Sequence, residues 1–244
     1  MMQPSTQGKP QPPQPRIGTV IDVTDITPTM RQIRIADPSL REISWIPGQH
    51  VGILIGEEGV EPVLRVYSVR NHDAKQGTID LWILLKDLGP GSQWAKQIRV
   101  GDQVRFAGPR GSFVLTPEAL EAPYYVFAGE ATAAVPIQAM LAALPTEKPV
   151  FGYLMAEKPG EEVPYSGPHE LPWIYRNETP ASPSPVLIEA FQSLTLPENP
   201  GMAYLGGEAM TCQALRRYLI EEKGWPASAI KAKPFWAPGK TGLH

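Results

Sequence analysis

The stretch LRVYSVR, at residues 64–70, is the most informative part of the sequence. Successive side chains of a β-strand face opposite ways, so Arg65 and Tyr67 would share one face while Ser68 lies on the other. An arginine and a tyrosine on one face offer a cation for phosphate and a flat ring against which another ring can lie. An ordinary amphipathic strand has the same pattern, so the stretch predicts a strand and leaves its role open.

Similar short runs surround this stretch on both sides. They span residues 16–23, 30–36, 49–55, 78–85 and 103–108. Pro, Gly, Asn and Asp residues separate them, as expected of turns. In the first run Ile17, Ile21 and Val23 fall on one face of a strand, which predicts that this face is buried. Six short strands with one short helical insert predict a small antiparallel Greek-key β-barrel.

From residue 124 onward, strand-like and helix-like segments alternate. Strands are expected at 124–129, 150–156, 172–176 and 202–207, and helices at 131–144 and 208–224. In the second helix Met210, Leu215, Tyr218 and Leu219 are expected to share a face. This rhythm predicts an α/β domain with a mostly parallel sheet. The expected organisation is therefore a Gln/Pro-rich tail at 1–15, a barrel domain at 16–120 and an α/β domain at 121–244.

Composition excludes several classes of function. The 244 residues carry 22 Lys and Arg against 25 Asp and Glu, a net charge of -3, which argues against broad nucleic-acid binding. The single cysteine, Cys212, excludes an intrachain disulfide and an all-cysteine cluster, and is expected to be a packed side chain. The four histidines lack metal-ligand spacing, so no metal is expected. With neither a membrane span nor a secretory signal in sight, the protein is expected to be cytoplasmic.

A second informative stretch is GPGSQWAK, at residues 89–96. A Gly/Pro turn that opens a short helix leaves backbone N–H groups and a positive dipole end, which together suit a phosphate. A plain turn capped by Ser92 would have the same sequence. A third stretch, at residues 101–113, contains a tight turn, a strand and another Gly-rich turn.

In this order, the three stretches resemble the flavin domain of the ferredoxin reductase-like oxidoreductases. More narrowly, the chain resembles the siderophore-interacting proteins, NAD(P)H-dependent ferric-siderophore reductases that bind FAD. The family patterns RxYTxR, GPxSxWA and GDxVxxxGPxGSF correspond to residues 65–70, with Ser68 for Thr, and to 89–95 and 101–113. Further correspondences lie at 129–137, 173–176, 206–219 and 235–239, so the resemblance covers about residues 16 to 240.

The resemblance implies a set of site residues. Arg65 would take the flavin pyrophosphate, Tyr67 would pack on the flavin, and Ser68 would act as the catalytic hydroxyl near the redox nitrogen. The other implied flavin-side residues are Val69, Leu85, Lys86, Gly89, Gly91, Ser92, Gln93 and Trp94. Gly129, Glu130 and Thr132 would lie where NADH or NADPH approaches, and Trp236 would cover the isoalloxazine.

The sequence departs from the family at a histidine that would contact the flavin and at an arginine that would follow the terminal Trp. Lys86 stands near the place of a family histidine, and the arginine that usually follows the terminal Trp is missing, so that Lys240 is the nearest cation. These two lysines are the candidates for contact with an anionic ferric siderophore. A flavin reductase or diaphorase with another acceptor, and a non-catalytic flavin or siderophore carrier, remain alternatives. Lys158 and Arg176 could meet the 2′-phosphate of NADPH, but their spacing does not require it.

Overall fold

A closed barrel forms the first half of the chain. The computed structural model describes residues 15–56, 61–85, 89–165 and 167–240, and within them the barrel has six strands. These are β1 (Arg16–Thr27), β2 (Met30–Ala36), β3 (His50–Ile55), β4 (Val63–Asp73), β5 (Thr78–Leu84) and β6 (Gln103–Arg110). Their order is β1-β2-β5-β4-β3-β6 and all pairs are antiparallel, which confirms the predicted Greek-key barrel. Residues 1–14 of the predicted tail (1–15) and Lys86 lie outside the described residues.

The interior of the barrel is filled by aliphatic side chains around Phe106, and β1 contributes the face opposite to the predicted one. Ile17 and Ile21 are 63% and 44% exposed, whereas Val20 is fully buried. A Cβ on Gly18 would stand 2.5 Å from a methyl group of Ile35, closer than two carbon atoms can approach. Strand β1 therefore turns inward the face that carries Gly18 and Val20. The predicted burial of Ile17 and Ile21 is therefore wrong.

A parallel sheet forms the second half. Its strands are β7 (Tyr125–Glu130), β8 (Val150–Ala156), β9 (Trp173–Tyr175), β10 (Met202–Glu208) and β11 (Ile230–Trp236), in the order β11-β10-β7-β8-β9. The helices within the described ranges are α1 (Pro90–Gln97), α2 (Pro117–Leu120), α3 (Ala131–Ala143), α4 (Pro185–Gln192) and α5 (Ala209–Glu221), with short 3₁₀ turns at Pro38–Glu42 and Ala227–Ala229. All four strand pairs are parallel, as predicted for the α/β half.

The buried face of α5 begins later than predicted. Leu215, Tyr218 and Leu219 are buried as expected, but Met210 is 52% exposed. Thr211 and Cys212 complete the buried face instead, because they lie three or four residues before Leu215 and share its side of the helix. Met210, in the first turn, falls outside this face.

The barrel and the sheet share one hydrophobic core. Phe113, just after β6, packs edge-on against Tyr204 of β10 and Phe235 of β11, with ring centroids 5.6 Å and 6.0 Å apart. The hydroxyl of Tyr204 donates a hydrogen bond of 2.9 Å to the carbonyl of Val114. These contacts help to hold the outer face of β4 and β5 against α3. Among the described residues no helix has the length and apolar character needed to cross a membrane.

Candidate functional site

A cavity of about 210 Å³ lies between the barrel and α3. Strands β4 and β5 and helix α1 form one side, and α3 and the end of β11 form the other. Its lining residues are Met30, Val66, Tyr67, Ser68, Trp82, Leu84, Ser92, Ala131, Thr132, Val135, Phe235 and Trp236. The largely aromatic and aliphatic lining suits a flat, mostly apolar ligand. We call this space the first cavity.

Strand β4 contributes two hydroxyl groups to the lining of the first cavity, those of Tyr67 and Ser68. Ser68 is 8% exposed, and within the described part of the chain its hydroxyl has no hydrogen-bond partner, so it is available to a ligand. The ring of Tyr67 stacks on Trp94, with centroids 6.1 Å apart and planes 20° from parallel. Burial raises the pKa of Tyr67 to about 12, so its hydroxyl stays protonated at neutral pH.

Helix α1 begins directly beside this strand. Gly89 is its N-cap and provides no side-chain hydrogen bond, and Pro90 occupies the first turn. The backbone N–H of Gln93 donates to the carbonyl of Gly89 at 3.0 Å, which leaves the N–H groups of Gly91 and Ser92 as the first-turn donors. The helix thus presents an uncapped positive end, which favours an anionic ligand.

Gly91 and Arg65 connect α1 with β4. A Cβ on Gly91 would stand 2.1 Å from the hydroxyl oxygen of Tyr67, so any larger residue would displace that ring. The same Cβ would lie 3.4 Å from Cγ of Arg65, which places this arginine beside the start of α1. The Arg65 guanidinium donates at 2.8 Å to the carbonyl of Leu64. A cation next to free helix N–H groups is the donor set that a pyrophosphate requires. The residues present therefore fit FAD.

A second cavity, of about 420 Å³, adjoins the first. It lies at the carboxyl ends of β7 and β8, the edge at which parallel α/β sheets bind their ligands. It is lined by Thr29, Leu84, Leu85, Glu130, Ala131, Met155, Ala156, Glu157, Glu161, Arg176, Ala181 and Trp236. Leu84, Ala131 and Trp236 line both cavities, so the two spaces share one wall.

Glu130 organises this shared wall. It is the N-cap of α3, where one carboxylate oxygen accepts from the Thr132 N–H at 3.1 Å. The other oxygen accepts from the Thr132 hydroxyl and, at 3.0 Å, from the indole N–H of Trp236. Gly129 precedes Glu130 on β7. A Cβ at this position would stand 2.7 Å from that of Ala133, so glycine allows α3 to pack closely on the sheet.

The structure separates the sequence-predicted site residues into groups. Those that line a cavity are Tyr67, Ser68, Leu85, Ser92, Glu130, Thr132 and Trp236. Those that support a lining residue or belong to the start of α1 are Arg65, Gly89, Gly91, Gln93, Trp94 and Gly129. Val69 is fully buried in the barrel core, away from both cavities. Lys240 is exposed and lines neither cavity, and Lys86 lies outside the described residues.

Sequence reasoning missed Trp82 and Phe235 as lining residues. Trp82 alternates on β5 with the core residues Leu81 and Ile83, so it faces outward from the barrel. A large aromatic on the outer face of a barrel strand was the available signal for a second surface packed there. The guanidinium of Arg70 lies 5.0 Å from the Trp82 ring centroid, and burial lowers the pKa of this arginine.

No group of three or more His, Cys, Asp or Glu side chains within the described ranges is arranged to hold a metal ion. Cys212 is buried, and burial, together with Glu130 and Glu208, raises the pKa of its thiol to about 12. A thiol with such a pKa is not a nucleophile at neutral pH.

Comparison with protein families fits this geometry. Residues 122–239 match the model of the siderophore-interacting protein family, and residues 55–113 match that of the siderophore-interacting FAD-binding domain. The chain belongs to the siderophore-interacting protein family. The second match covers β4 and α1, which form the barrel side of the first cavity, and the first covers the whole parallel sheet of this family member.

Individual relatives agree in sequence and in fold. The ferric vibriobactin reductase ViuB of Vibrio cholerae is 28% identical over 187 residues, which cover 74% of this chain and 66% of ViuB, just under two thirds of its length. A siderophore utilization protein from T. fusca superimposes with a TM-score of 0.84 over 96% of both chains, at 24% identity. Ferredoxin-NADP+ reductase from Plasmodium falciparum, with a TM-score of 0.68 over 91% of this chain and 96% of its own at 13% identity, shares the fold. The fold is therefore ferredoxin reductase-like, as predicted.

Proposed function

We propose that this siderophore-interacting protein is an FAD-dependent NAD(P)H oxidoreductase that reduces ferric siderophores and releases ferrous iron. The observation that carries the proposal is the wall of Leu84, Ala131 and Trp236 shared by the two cavities. A flavin in the first cavity and a nicotinamide in the second would meet across this wall. The names of ViuB and of the T. fusca protein support an acceptor of the ferric-siderophore class.

The barrel, over residues 16–120, would bind FAD. Arg65 and the N–H groups of Gly91 and Ser92 would hold the pyrophosphate, because together they place positive charge at the start of α1. Tyr67, backed by Trp94, would lie against the flavin, and the Ser68 hydroxyl would donate to it near the redox nitrogen. When bound, FAD supplies the ability to accept two electrons as a hydride and to release them one at a time.

The α/β half, over residues 121–244, would bind the electron donor. Glu130 and Thr132 would border the nicotinamide and ribose, and Trp236 would cover the cofactor ring from the side of β11. The protein's own contribution is to position both rings and to exclude water between them. One NAD(P)H and two ferric chelates would give NAD(P)+, one proton and two ferrous ions.

A three-step measurement on the purified protein tests the proposal. The absorption spectrum first shows whether flavin is bound. Anaerobic stopped-flow mixing with NADH and with NADPH then shows whether the flavin bleaches. Finally, a ferric tris-catecholate, a ferric tris-hydroxamate and ferric citrate are added with a ferrous-iron indicator. We expect bleaching and ferrous iron from at least one siderophore-type chelate. Flavin that binds without bleaching would identify a carrier, and bleaching without ferrous iron would identify a reductase with another acceptor.

A further inference from the structure

The second cavity contains more negative than positive charge. Among its lining residues, Glu130, Glu157 and Glu161 are acidic and Arg176 is the one cation within the part of the chain that the structure describes. Glu157 follows β8 and Arg176 follows β9, so both lie at the carboxyl edge of the sheet. Three carboxylates against one guanidinium give this lining a formal charge of about -2.

Parallel α/β sheets bind the adenosine ribose of NADH and of NADPH with two different kinds of side chain, and Glu157 and Arg176 represent both kinds. An acidic side chain downstream of the first strand–helix unit accepts a hydrogen bond from the ribose 2′-hydroxyl of NADH, whereas an arginine accommodates the 2′-phosphate of NADPH. Glu157 and Arg176 are side chains of these two kinds. Which nucleotide is preferred then depends on whether Arg176 is available to a phosphate.

Arg176 is already paired. Its guanidinium forms an ion pair with the Glu157 carboxylate and donates to the carbonyl of Thr179. The backbone holds the pair together, because the N–H of Arg176 donates to Ala156 O at 3.0 Å and the N–H of Asn177 donates to Glu157 O at 2.9 Å. The guanidinium is therefore anchored by contacts at both the side chain and the backbone.

A second cation near this edge, Lys158, is also opposite a carboxylate. Nζ of Lys158 lies 4.0 Å from a carboxylate oxygen of Glu161, and its side chain is 69% exposed. A 2′-phosphate carries about two negative charges at neutral pH. It would have to displace Glu157 from Arg176 and then leave that carboxylate beside the phosphate. Like charges placed together in this way disfavour the ligand.

We propose that the Glu157–Arg176 pair makes this protein select NADH over NADPH. The inference rests on the proposed function, since it concerns the electron donor of that same site. Glu157 acts as the specificity-determining residue by occupying the guanidinium and by accepting from the ribose hydroxyl. The loss of one charge-assisted contact changes affinity by about ten- to a hundredfold, and we expect a preference of this size.

Two readouts on the flavin-loaded protein test the selection. The first is the ratio of kcat/KM for NADH to that for NADPH. The second is binding of 5′-AMP and of 2′,5′-ADP by titration calorimetry, because these two fragments differ only in the 2′-phosphate. We expect NADH and 5′-AMP to be favoured. Glu157→Gln frees Arg176 and should reduce both preferences by about tenfold or more. Glu161→Gln removes the same charge from the same cavity and keeps the pair. It releases only Lys158, which is 69% exposed and 4.0 Å from Glu161, so it should change both preferences much less.

The outcomes separate the two proposals. Equal use of both nucleotides, a preference for NADPH, or equal effects of Glu157→Gln and Glu161→Gln would overturn the selection and leave the reductase function standing. If neither nucleotide reduces the flavin but 5′-AMP binds better than 2′,5′-ADP, the proposed function fails and the selection holds. If neither nucleotide reduces the flavin and neither fragment binds, both are overturned.

Discussion

The indole N–H of Trp236 donates a hydrogen bond of 3.0 Å to Oε1 of Glu130. This bond joins the end of β11 to the N-cap of α3, two elements that are far apart in the chain. It fixes the indole on the wall between the two cavities. The position of that ring therefore controls how closely a flavin and a nicotinamide could approach.

Trp236→Phe keeps an aromatic ring on the wall but removes its hydrogen-bond donor. One hydrogen bond contributes about 0.5–1.5 kcal/mol net, so the ring without it should move away more easily when a nicotinamide binds. Flavin reduction by NADH should therefore accelerate about two- to tenfold. Stopped-flow absorbance measures this rate. Trp225→Phe, in the core on the other side of the sheet, is the control. Slower reduction in Trp236→Phe would mean that the bond holds the indole in the productive position.

Gly91→Ala should weaken FAD binding. The new Cβ would stand 2.1 Å from the Tyr67 hydroxyl oxygen, so the ring must leave its place between Trp94 and the first cavity. We expect the affinity to fall by about tenfold or more, which corresponds to strain of about 1.4 kcal/mol or more. Gly89→Ala, where an added Cβ meets nothing within 4 Å, should bind FAD nearly as wild type does. Fluorescence titration with FAD checks both variants.

The same clash offers a rescue experiment. Tyr67→Phe removes the hydroxyl, and Cζ of the ring would then be 3.4 Å from the Cβ that Gly91→Ala adds, an ordinary contact. The double variant Gly91→Ala, Tyr67→Phe should therefore bind FAD better than Gly91→Ala alone. If the double variant binds no better, the loss in Gly91→Ala comes from the helix backbone rather than from the tyrosine.

The barrel could be predicted from the sequence, and five of the twelve residues that line the first cavity were among the expected site residues: Tyr67, Ser68, Ser92, Thr132 and Trp236. Turn residues separate the six strands, and Tyr67 packs against the barrel core that contains Val69, although Tyr67 and Ser68 both line the first cavity. The exposure of Ile17 could not be predicted, because it depends on how closely Gly18 packs against the distant residue Ile35, where an added Cβ would stand only 2.5 Å from a methyl group. Apolar residues on a strand show which face could be buried, but the neighbouring strand decides which face is.

Two elements that the sequence analysis did not predict, β11 and α4, have a similar explanation. Strand β11 reads IKAKPFW, in which lysines and a proline interrupt the apolar pattern, as is permitted on the edge strand of a sheet. Helix α4 has only eight residues, although Ser184 and Pro185 form a standard helix start. The Glu157–Arg176 pair joins the ends of β8 and β9, and only the parallel pairing of these strands brings it together.

Arg65→Ala should reduce the affinity for FAD by about ten- to a hundredfold, because a charge-assisted contact with the pyrophosphate contributes about 1.5–3 kcal/mol. The fold should persist, since the guanidinium bonds only to the neighbouring Leu64 carbonyl among the described residues. Arg217→Ala, an exposed arginine of α5 that lies 3.9 Å from Glu221, is the control for loss of charge. Unchanged FAD affinity in Arg65→Ala would remove this residue from the pyrophosphate site.

Ser68→Ala should slow flavin reduction while FAD stays bound. The side chain lines the first cavity and its hydroxyl has no partner within the described ranges, so the substitution costs the fold little. One lost hydrogen bond to the reacting ring system should slow the step about two- to tenfold. The FAD reduction rate and the FAD dissociation constant are measured on the same sample. An unaltered rate would mean that Ser68 is a strand residue without a catalytic role.

The acceptor side offers the last prediction. Many ferric siderophores are bulky and anionic, so their site should be open and cationic. Lys240 is exposed, four residues after Trp236, in a turn in which its backbone N–H donates to Ala237 O at 3.2 Å. The Michaelis constant for an anionic ferric chelate should rise about two- to fivefold for each of Lys86→Ala and Lys240→Ala, since exposed charge pairs contribute up to about 1 kcal/mol.

Salt distinguishes this electrostatic role from a structural one. Exposed charges are screened beyond about 8 Å at physiological ionic strength, so the rise should be largest in low salt and nearly absent with a neutral chelate. Flavin reduction by NADH should not change, because that half-reaction precedes contact with the chelate. Lys223→Ala, in the turn after α5 and beside the Tyr218 ring, controls for loss of surface charge. If the double variant Lys86→Ala, Lys240→Ala has wild-type steady-state parameters at low salt, neither lysine contacts the acceptor, and the cations that attract it lie elsewhere on the protein.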